Sequence, residues 1–356
     1  MTRPAALIAA IVTAAAVLGG CPKAADKKPA EPSARRDAGA VALVPADAGT
    51  EVTLPLAPPL PGVPAGLPAP PAIDGVSPEA VMLGELLFHD PRMSSTGAVA
   101  CATCHVPGAG FAGAAPQPTA AGKPNLRRAP SLVNLGWVRE LGWDGRYPGL
   151  ADHLPAHARG QLGDDLAVSV ARLDALPVYH AHFARTGGAT AATAATALGA
   201  YVMTRYSGDA TWDRLEREPA VPPALKLGYQ VFTGKALCAT CHVPPLYTDL
   251  GYHRLGLLLP PDEGRGRLDA RAQGAFRTPS LRGAAQRPGF FHAGQAPSLT
   301  AAIDWHLAGG TGQGADPSIV DLHPVVLTPD ERTALLAFVA ALSPATPAPA
   351  VAPPLP

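Results

Sequence analysis

Charge is scarce in this 356-residue chain. Asp, Glu, Lys and Arg make up 16%, and 28 basic residues balance 28 acidic ones. A net charge near zero leaves no electrostatic footprint for nucleic acid or for an anionic membrane surface. Aromatic residues are only 5%, and strand-like alternation is rare, which argues against a large β architecture. The best apolar run, Ala5 to Leu18, is too short and too Ala-rich for a transmembrane span. Methionine occurs four times, never after position 203, so the second half has no thioether to offer a metal. Five cysteines leave one over if the others pair as disulfides.

Proline, at 42 residues, and glycine, at 37, are abundant beside a hydrophobic content of 47%. That mixture points to folded parts joined to low-complexity parts. Arg3 and the run AALIAAIVTAAAVL form the basic and apolar regions of an export signal. The run ends in Leu18-Gly19-Gly20-Cys21, which resembles a bacterial lipobox. Residues 1–21 are therefore expected to be a lipoprotein-type signal peptide with Cys21 lipidated. The alternative is a soluble export signal with an incidental cysteine. Residues 22–75, rich in Ala, Pro, Lys and Asp and without aromatics, bury too little apolar surface to offset ordering, and read as a disordered tether. The tail, 344–356, is of the same kind.

Cys101-Ala102-Thr103-Cys104-His105-Val106-Pro107 recurs letter for letter as Cys238-Ala239-Thr240-Cys241-His242-Val243-Pro244. The pattern C-x-x-C-H is that of c-type haem attachment. Two thiols bond the two vinyl groups of one porphyrin, and the next histidine reaches the iron. A four-cysteine zinc site would not need a histidine after each pair. Two covalently bound haem c groups are expected, with Cys101, Cys104, Cys238 and Cys241 as attachment points and His105 and His242 as iron ligands.

The repetition extends further. Leu83-Gly84 with Phe88 is echoed by Leu227-Gly228 with Phe232, and Arg128-Ala129-Pro130-Ser131-Leu132 by Arg277-Thr278-Pro279-Ser280-Leu281. Gly145-x-x-Pro148-x-Leu150 is echoed by Gly294-x-x-Pro297-x-Leu299. The order is the same in both halves, which indicates a duplicated module. The expectation is a mostly α fold of two tandem cytochrome c-like domains, 76–222 and 223–343, each wrapping one haem. Ser77-Pro78 marks a helix start, Ala189 to Tyr206 has helical spacing, and Thr328-Pro329-Asp330-Glu331 is a capping box. Leu335, Phe338, Val339 and Leu342 share one face of that last helix.

These motifs resemble the bacterial dihaem cytochrome c peroxidases and their MauG-type relatives over about residues 77 to 343. The carriers are L-G-x-x-L-F-x-D-P-R-x-S at 83 to 94, R-R-A-P-S-L-x-N at 127 to 134, Trp143-Asp144-Gly145-Arg146, and Phe290-Phe291-His292-x-Gly294. The resemblance implies that the second-half haem takes electrons and the first-half haem cleaves peroxide. It implies that Trp143 relays electrons between them.

Three departures stand out. The family's sixth ligand to the second haem, Met or Tyr, falls fourteen residues after His292, where this chain has His306. A helix capped by Ser298 carries Leu299, Ile303 and His306 on one apolar face, which makes His306 the expected ligand. The internal repeat aligns His157 with His306, and Gln161 stands where the family has a distal Glu. His157 or His153 is then left to serve by proton transfer or as a removable sixth ligand, although Pro155 should interrupt a clean helix there. The family's calcium uses an Asn where this chain has Arg128. A guanidinium can take the ion's place, so no calcium is expected. His89, His180, His182, His253 and His323 match no ligand position and read as surface or loop residues, while Asp304, Glu263 and Arg265 are candidates for positioning haem propionates.

The leading function is a dihaem c-type peroxidase. It would reduce hydrogen peroxide to water with electrons from a small periplasmic donor, a cytochrome c or a cupredoxin. The alternatives are MauG-type oxidation of a partner protein and a bis-His electron carrier. The expected location is the periplasmic side of a bacterial envelope membrane, touched only through the lipid anchor. The resemblance also allows a homodimer.

Overall fold

The structure, a computed structural model, describes residues 52–72, 74–218, 220–257, 261–310, 320–344 and 352–356. The signal peptide and Cys21 lie outside the described residues. Residues 46–356 form one compact unit. Its described part is mostly helical. In chain order the helices are α1 Pro78–His89, α2 Cys101–Cys104, α3 Leu150–His157, α4 Leu166–Asp174, α5 Pro177–Thr186, α6 Ala191–Met203, α7 Thr211–Leu215, α8 Pro223–Thr233, α9 Leu299–Leu307 and α10 Pro329–Ala341. One antiparallel pair, β1 Tyr252–Arg254 and β2 Ala275–Arg277, is in register with His253 opposite Phe276. No described helix is long and apolar enough to cross a membrane.

Helix starts follow the local chemistry. The Ser77 hydroxyl accepts from Ala80 N at 3.1 Å and Pro78 occupies the first turn of α1. Thr328 and Glu331 close a reciprocal capping box on α10, with Thr328 Oγ1 accepting from Glu331 N and Glu331 Oε2 from Thr328 N. Ser298 caps α9 through its hydroxyl alone, accepting from Ala301 N at 3.1 Å.

Two apolar cores result. One gathers Leu83, Leu87, Phe88, Phe183 and Tyr201 from α1, α5 and α6. The other gathers Phe232, Leu335, Phe338, Val339 and Leu342 around α8 and α10. Each such side chain contributes about 1.5–3 kcal/mol by leaving water. The repeated Leu-Gly pair explains the helix crossings. A Cβ on Gly84 would lie 1.9 Å from the Ala197 carbonyl oxygen in α6, and one on Gly228 would lie 2.1 Å from that of Ala334 in α10. Only glycine lets the paired backbones approach this closely.

Two expectations change in detail. Pro155 does not interrupt α3, which runs through it to His157. The chain then widens into a π-helical turn, Ala158–Leu162. Pro155 lies past the first turn, so its missing amide costs one i→i−4 bond, and the chain widens into the π turn directly after it. Within the stretch read as a tether, residues 52–72 have no regular structure but are held to the body. Asp209 N donates to Ala65 O at 2.7 Å, Arg282 Nη2 to Gly66 O at 2.5 Å and Trp137 Nε1 to Ala69 O at 3.3 Å. Composition reports the missing apolar side chains but not these backbone carbonyls.

Candidate functional site

The first CxxCH borders a cavity of about 460 Å³, and the second borders one of about 350 Å³. Cys101 and Cys104 line the first, Cys238 and Cys241 the second. This division excludes a common four-cysteine zinc site. Burial pushes the Cys101 and Cys238 thiols up to about 12, so both stay protonated. Cys241, Asp249 and His253 do bring ligand atoms within 4.8 Å of one another, but Cys241 belongs to the attachment motif.

The histidine after each pair is oriented by backbone. His105 Nδ1 lies 3.2 Å from Phe111 O and 3.0 Å from Pro130 O. His242 Nδ1 lies 3.1 Å from Tyr247 O. A proton on Nδ1 leaves Nε2 free to bind a metal. Phe111 and Tyr247 both have φ of +53°. Holding a bulky residue in the left-handed region costs about 1–2 kcal/mol. In both halves that strain falls at the carbonyl that receives the histidine.

A second histidine faces each of these. The ring centres of His105 and His157 are 6.2 Å apart, and those of His242 and His306 are 6.4 Å apart. Two metal–imidazole bonds of about 2 Å, with about 1 Å from each nitrogen to its ring centre, span about 6 Å. Both pairs thus have the separation that two imidazoles need to share one metal ion. Burial, then a neighbouring histidine, pushes His157 down to about 3 and His242 to about 4. His105 and His306 are lowered by burial as well. All four are neutral at pH 7, the form that ligates. The residues therefore fit two haems, with His105 and His157 placed to hold one and His242 and His306 the other.

The two facing histidines are not held alike. His306 Nδ1 lies 2.7 Å from Ala302 O, one turn back in α9, and Phe291 stacks on its ring at 5.7 Å. His157, at the junction of α3 and the π turn, has no ring hydrogen bond among the described residues. It leans on His153 at 5.2 Å. The His153 Nδ1 is itself buried without a partner, and that ring leans on Tyr147 at 4.7 Å.

Gln161 also lines the first cavity. Its amide is tied to Asn125 by reciprocal bonds of 2.8 and 3.1 Å. Trp143 is buried and borders both cavities, together with Arg128 and Arg277. The indole Nε1 donates to Arg128 O at 2.9 Å, and the Arg128 guanidinium lies 5.1 Å from the ring centre. That guanidinium donates to Phe291 O at 2.6 Å and to Gly113 O at 3.2 Å, joining carbonyls of both halves.

Several functional positions escape the motif reading. Asp304, Glu263 and Arg265 border neither cavity. Asp304 pairs with Arg332 at 2.7 Å and Arg265 with Glu140 at 3.0 Å. His182 is buried in α5 rather than at the surface, and His253 and His323 border the second cavity. Arg127 bridges Asp144 at 3.0 Å and Asp262 at 2.5 Å at the edge of the first cavity. Arg277 was visible in principle, since the repeat aligns it with Arg128. Arg287 carries no motif signal.

Two cavities, each bordered by a C-x-x-C-H motif and a facing histidine pair, and one indole that lines both have the makings of a dihaem c-type redox protein. The sequence model of the di-haem cytochrome c peroxidase family matches residues 78–220. Among relatives, the methylamine utilization protein MauG of Methylorubrum extorquens is 36% identical over 82% of this chain and 86% of its own length. The cytochrome-c peroxidase IdrP1 of Denitromonas iodatirespirans is 31% identical over 80% and 85%. The crystal structure of a MauG-like protein associated with microbial copper homeostasis superposes with a TM-score of 0.72, at 26% identity, covering 80% of this chain and 95% of that one. The chain belongs to the di-haem cytochrome c peroxidase family. Membership implies two haem c groups and makes the protein an oxidoreductase.

Proposed function

We propose that this protein reduces hydrogen peroxide to water, with residues 76–222 carrying the peroxide-reactive site and residues 223–343 the electron-entry site. The observation that carries this reading is the unequal anchoring of the facing histidines. His306 is fixed by Ala302 O and Phe291, which suits a permanent ligand for electron transfer. His157 has no such tether, which suits a ligand that leaves to admit substrate.

When bound, the haems supply peroxide activation and one-electron storage. The chain's own residues do the rest. His105 and His242 would hold the irons through Nε2, each keeping its Nδ1 proton and donating it to a backbone carbonyl. His306 closes the second site. Trp143 carries electrons across the wall that both cavities share. The Asn125–Gln161 amides offer hydrogen bonds to a bound peroxide, though neither has a proton to give up. Each peroxide consumes two electrons and two protons and yields two waters.

The donor is a small periplasmic cytochrome c or cupredoxin, and the protein is lipid-anchored through Cys21 on the periplasmic side. Its 36% identity to a MauG supports a second reading, oxidation of a partner protein by the same site. Intact mass and paramagnetic resonance of each redox state, with and without peroxide, test the first reading. Two haems, with one site turning high-spin and reacting with peroxide, are expected. Two permanently low-spin sites that ignore peroxide would instead identify an electron carrier.

A further inference from the structure

We propose that Arg128, Arg277 and Arg287 form one carboxylate-binding site at the junction of the two cavities, which takes propionate groups of both haems. The proposal rests on the two-haem reading and adds to it the charge that seats the haems against Trp143. All three residues line a small cavity of about 40 Å³ that Trp143 also lines. Arg128 and Arg277 border both large cavities, and Arg287 borders the second.

None of the three pairs with a carboxylate among the described residues. Arg128 bonds only to carbonyls of Phe291, Gly113 and Ala129, and Arg277 only to Glu140 O. Arg287 is 7% exposed and reaches only Arg282 O, while its Nε is buried with no partner at all. Elsewhere this chain neutralises its buried arginines. Arg282, 1% exposed, pairs with Asp213 at 2.7 Å, and Arg127 pairs with two aspartates. Three cations gathered without a directly paired carboxylate, only Arg277 feeling the Glu140 charge nearby, are unfavourable in a low-dielectric interior. Burial accordingly lowers Arg128 to about 10 and Arg287 to about 9, the Arg128 charge adding to the latter. Planar anions answer this set, because a guanidinium fork matches a carboxylate with two parallel hydrogen bonds. The haems expected in the adjoining cavities each bring two carboxylates on one edge. A free anion from solution is the competing source.

The test uses the full holoprotein with haem propionates labelled with carbon-13, read by redox-difference infrared spectroscopy. The labelled carboxylate bands should shift in Arg287→Gln and in Arg277→Gln, with the haem count and the His-ligated spectra unchanged. Arg287→Lys, which keeps the charge but not the fork, should shift them less. If the Gln variants do not accumulate, Lys variants at all three positions carry the comparison. Labelled bands unmoved in holoprotein variants would overturn the proposal. So would bands that move only when inorganic phosphate is added to the wild type, since the site would then hold a free anion. Failure to bind two haems would instead defeat the functional reading itself.

Discussion

His157 faces His105 at 6.2 Å across the first cavity, yet no hydrogen bond among the described residues fixes its ring. The equivalent His306 is held at 2.7 Å by Ala302 O. One fold thus presents the same facing histidine pair twice, one partner tethered and the other without a ring hydrogen bond among the described residues. A sixth ligand that can leave reconciles a bis-His geometry with an enzyme.

His157→Ala should therefore convert the first site to high-spin and leave the second unchanged. Peroxide reduction should persist or speed up, because the substrate no longer competes with an imidazole. Paramagnetic resonance and stopped-flow reaction with peroxide read both effects. A loss of about a hundredfold or more would instead mark His157 as a proton carrier.

His306 makes a sharper claim about potential. If it ligates the second iron, that site should lack the Met-to-iron charge-transfer band and sit below His/Met relatives in potential, as imidazole donates more than a thioether. His306→Met should raise the midpoint, and His306→Ala should let exogenous imidazole bind. Spectroelectrochemical titration decides it. Unchanged spectra in His306→Ala would remove His306 from the coordination sphere.

The duplicated heptapeptide made the two attachment sites readable from the sequence, because covalent chemistry demands fixed spacing. The placement of His306 on the second cavity's wall was readable because a capped helix sets its phase. The loose seat of His157 was not, since Pro155 argued locally for a break that the π turn absorbs. Arg287 was hidden for a different reason. A buried cation looks like any surface arginine until its surroundings prove to hold no carboxylate. The docked segment 52–72 was likewise invisible, as it is held through backbone carbonyls rather than side chains.

Trp143→Phe should test the relay without disturbing the sites. The phenyl ring keeps the packing but loses the redox-active indole and its bond to Arg128 O. Electron transfer from the second site to the first should slow by about tenfold or more, equivalent to about 1.4 kcal/mol or more of barrier. Flash-photolysis kinetics between the two haems measure it directly. An unchanged rate, with both optical spectra intact, would reduce Trp143 to a packing role.

The last prediction concerns acid stability and the buried His292. Its ring is 2% exposed and stacks on Phe276 at 3.7 Å, nearly parallel. Burial, with Arg127 and Arg128 nearby, holds it down to about 4 against the opposing pull of Asp262. An unfolded histidine titrates near about 6.5. Because the folded value is the lower one, the unfolded chain binds the extra proton first. The stabilisation from His292 is then complete above about pH 6.5 and is lost as pH falls through about 4. A gap of that size corresponds to about 3 kcal/mol. His292→Phe keeps a flat ring on Phe276 and cannot charge. Its thermal midpoint should fall less steeply than that of the wild type between those two pH values, the difference between the curves cancelling the other titrating groups. Parallel acid limbs for the two proteins would show that the native fold already accommodates a protonated His292, and the assignment of this buried charge cost would have to be withdrawn.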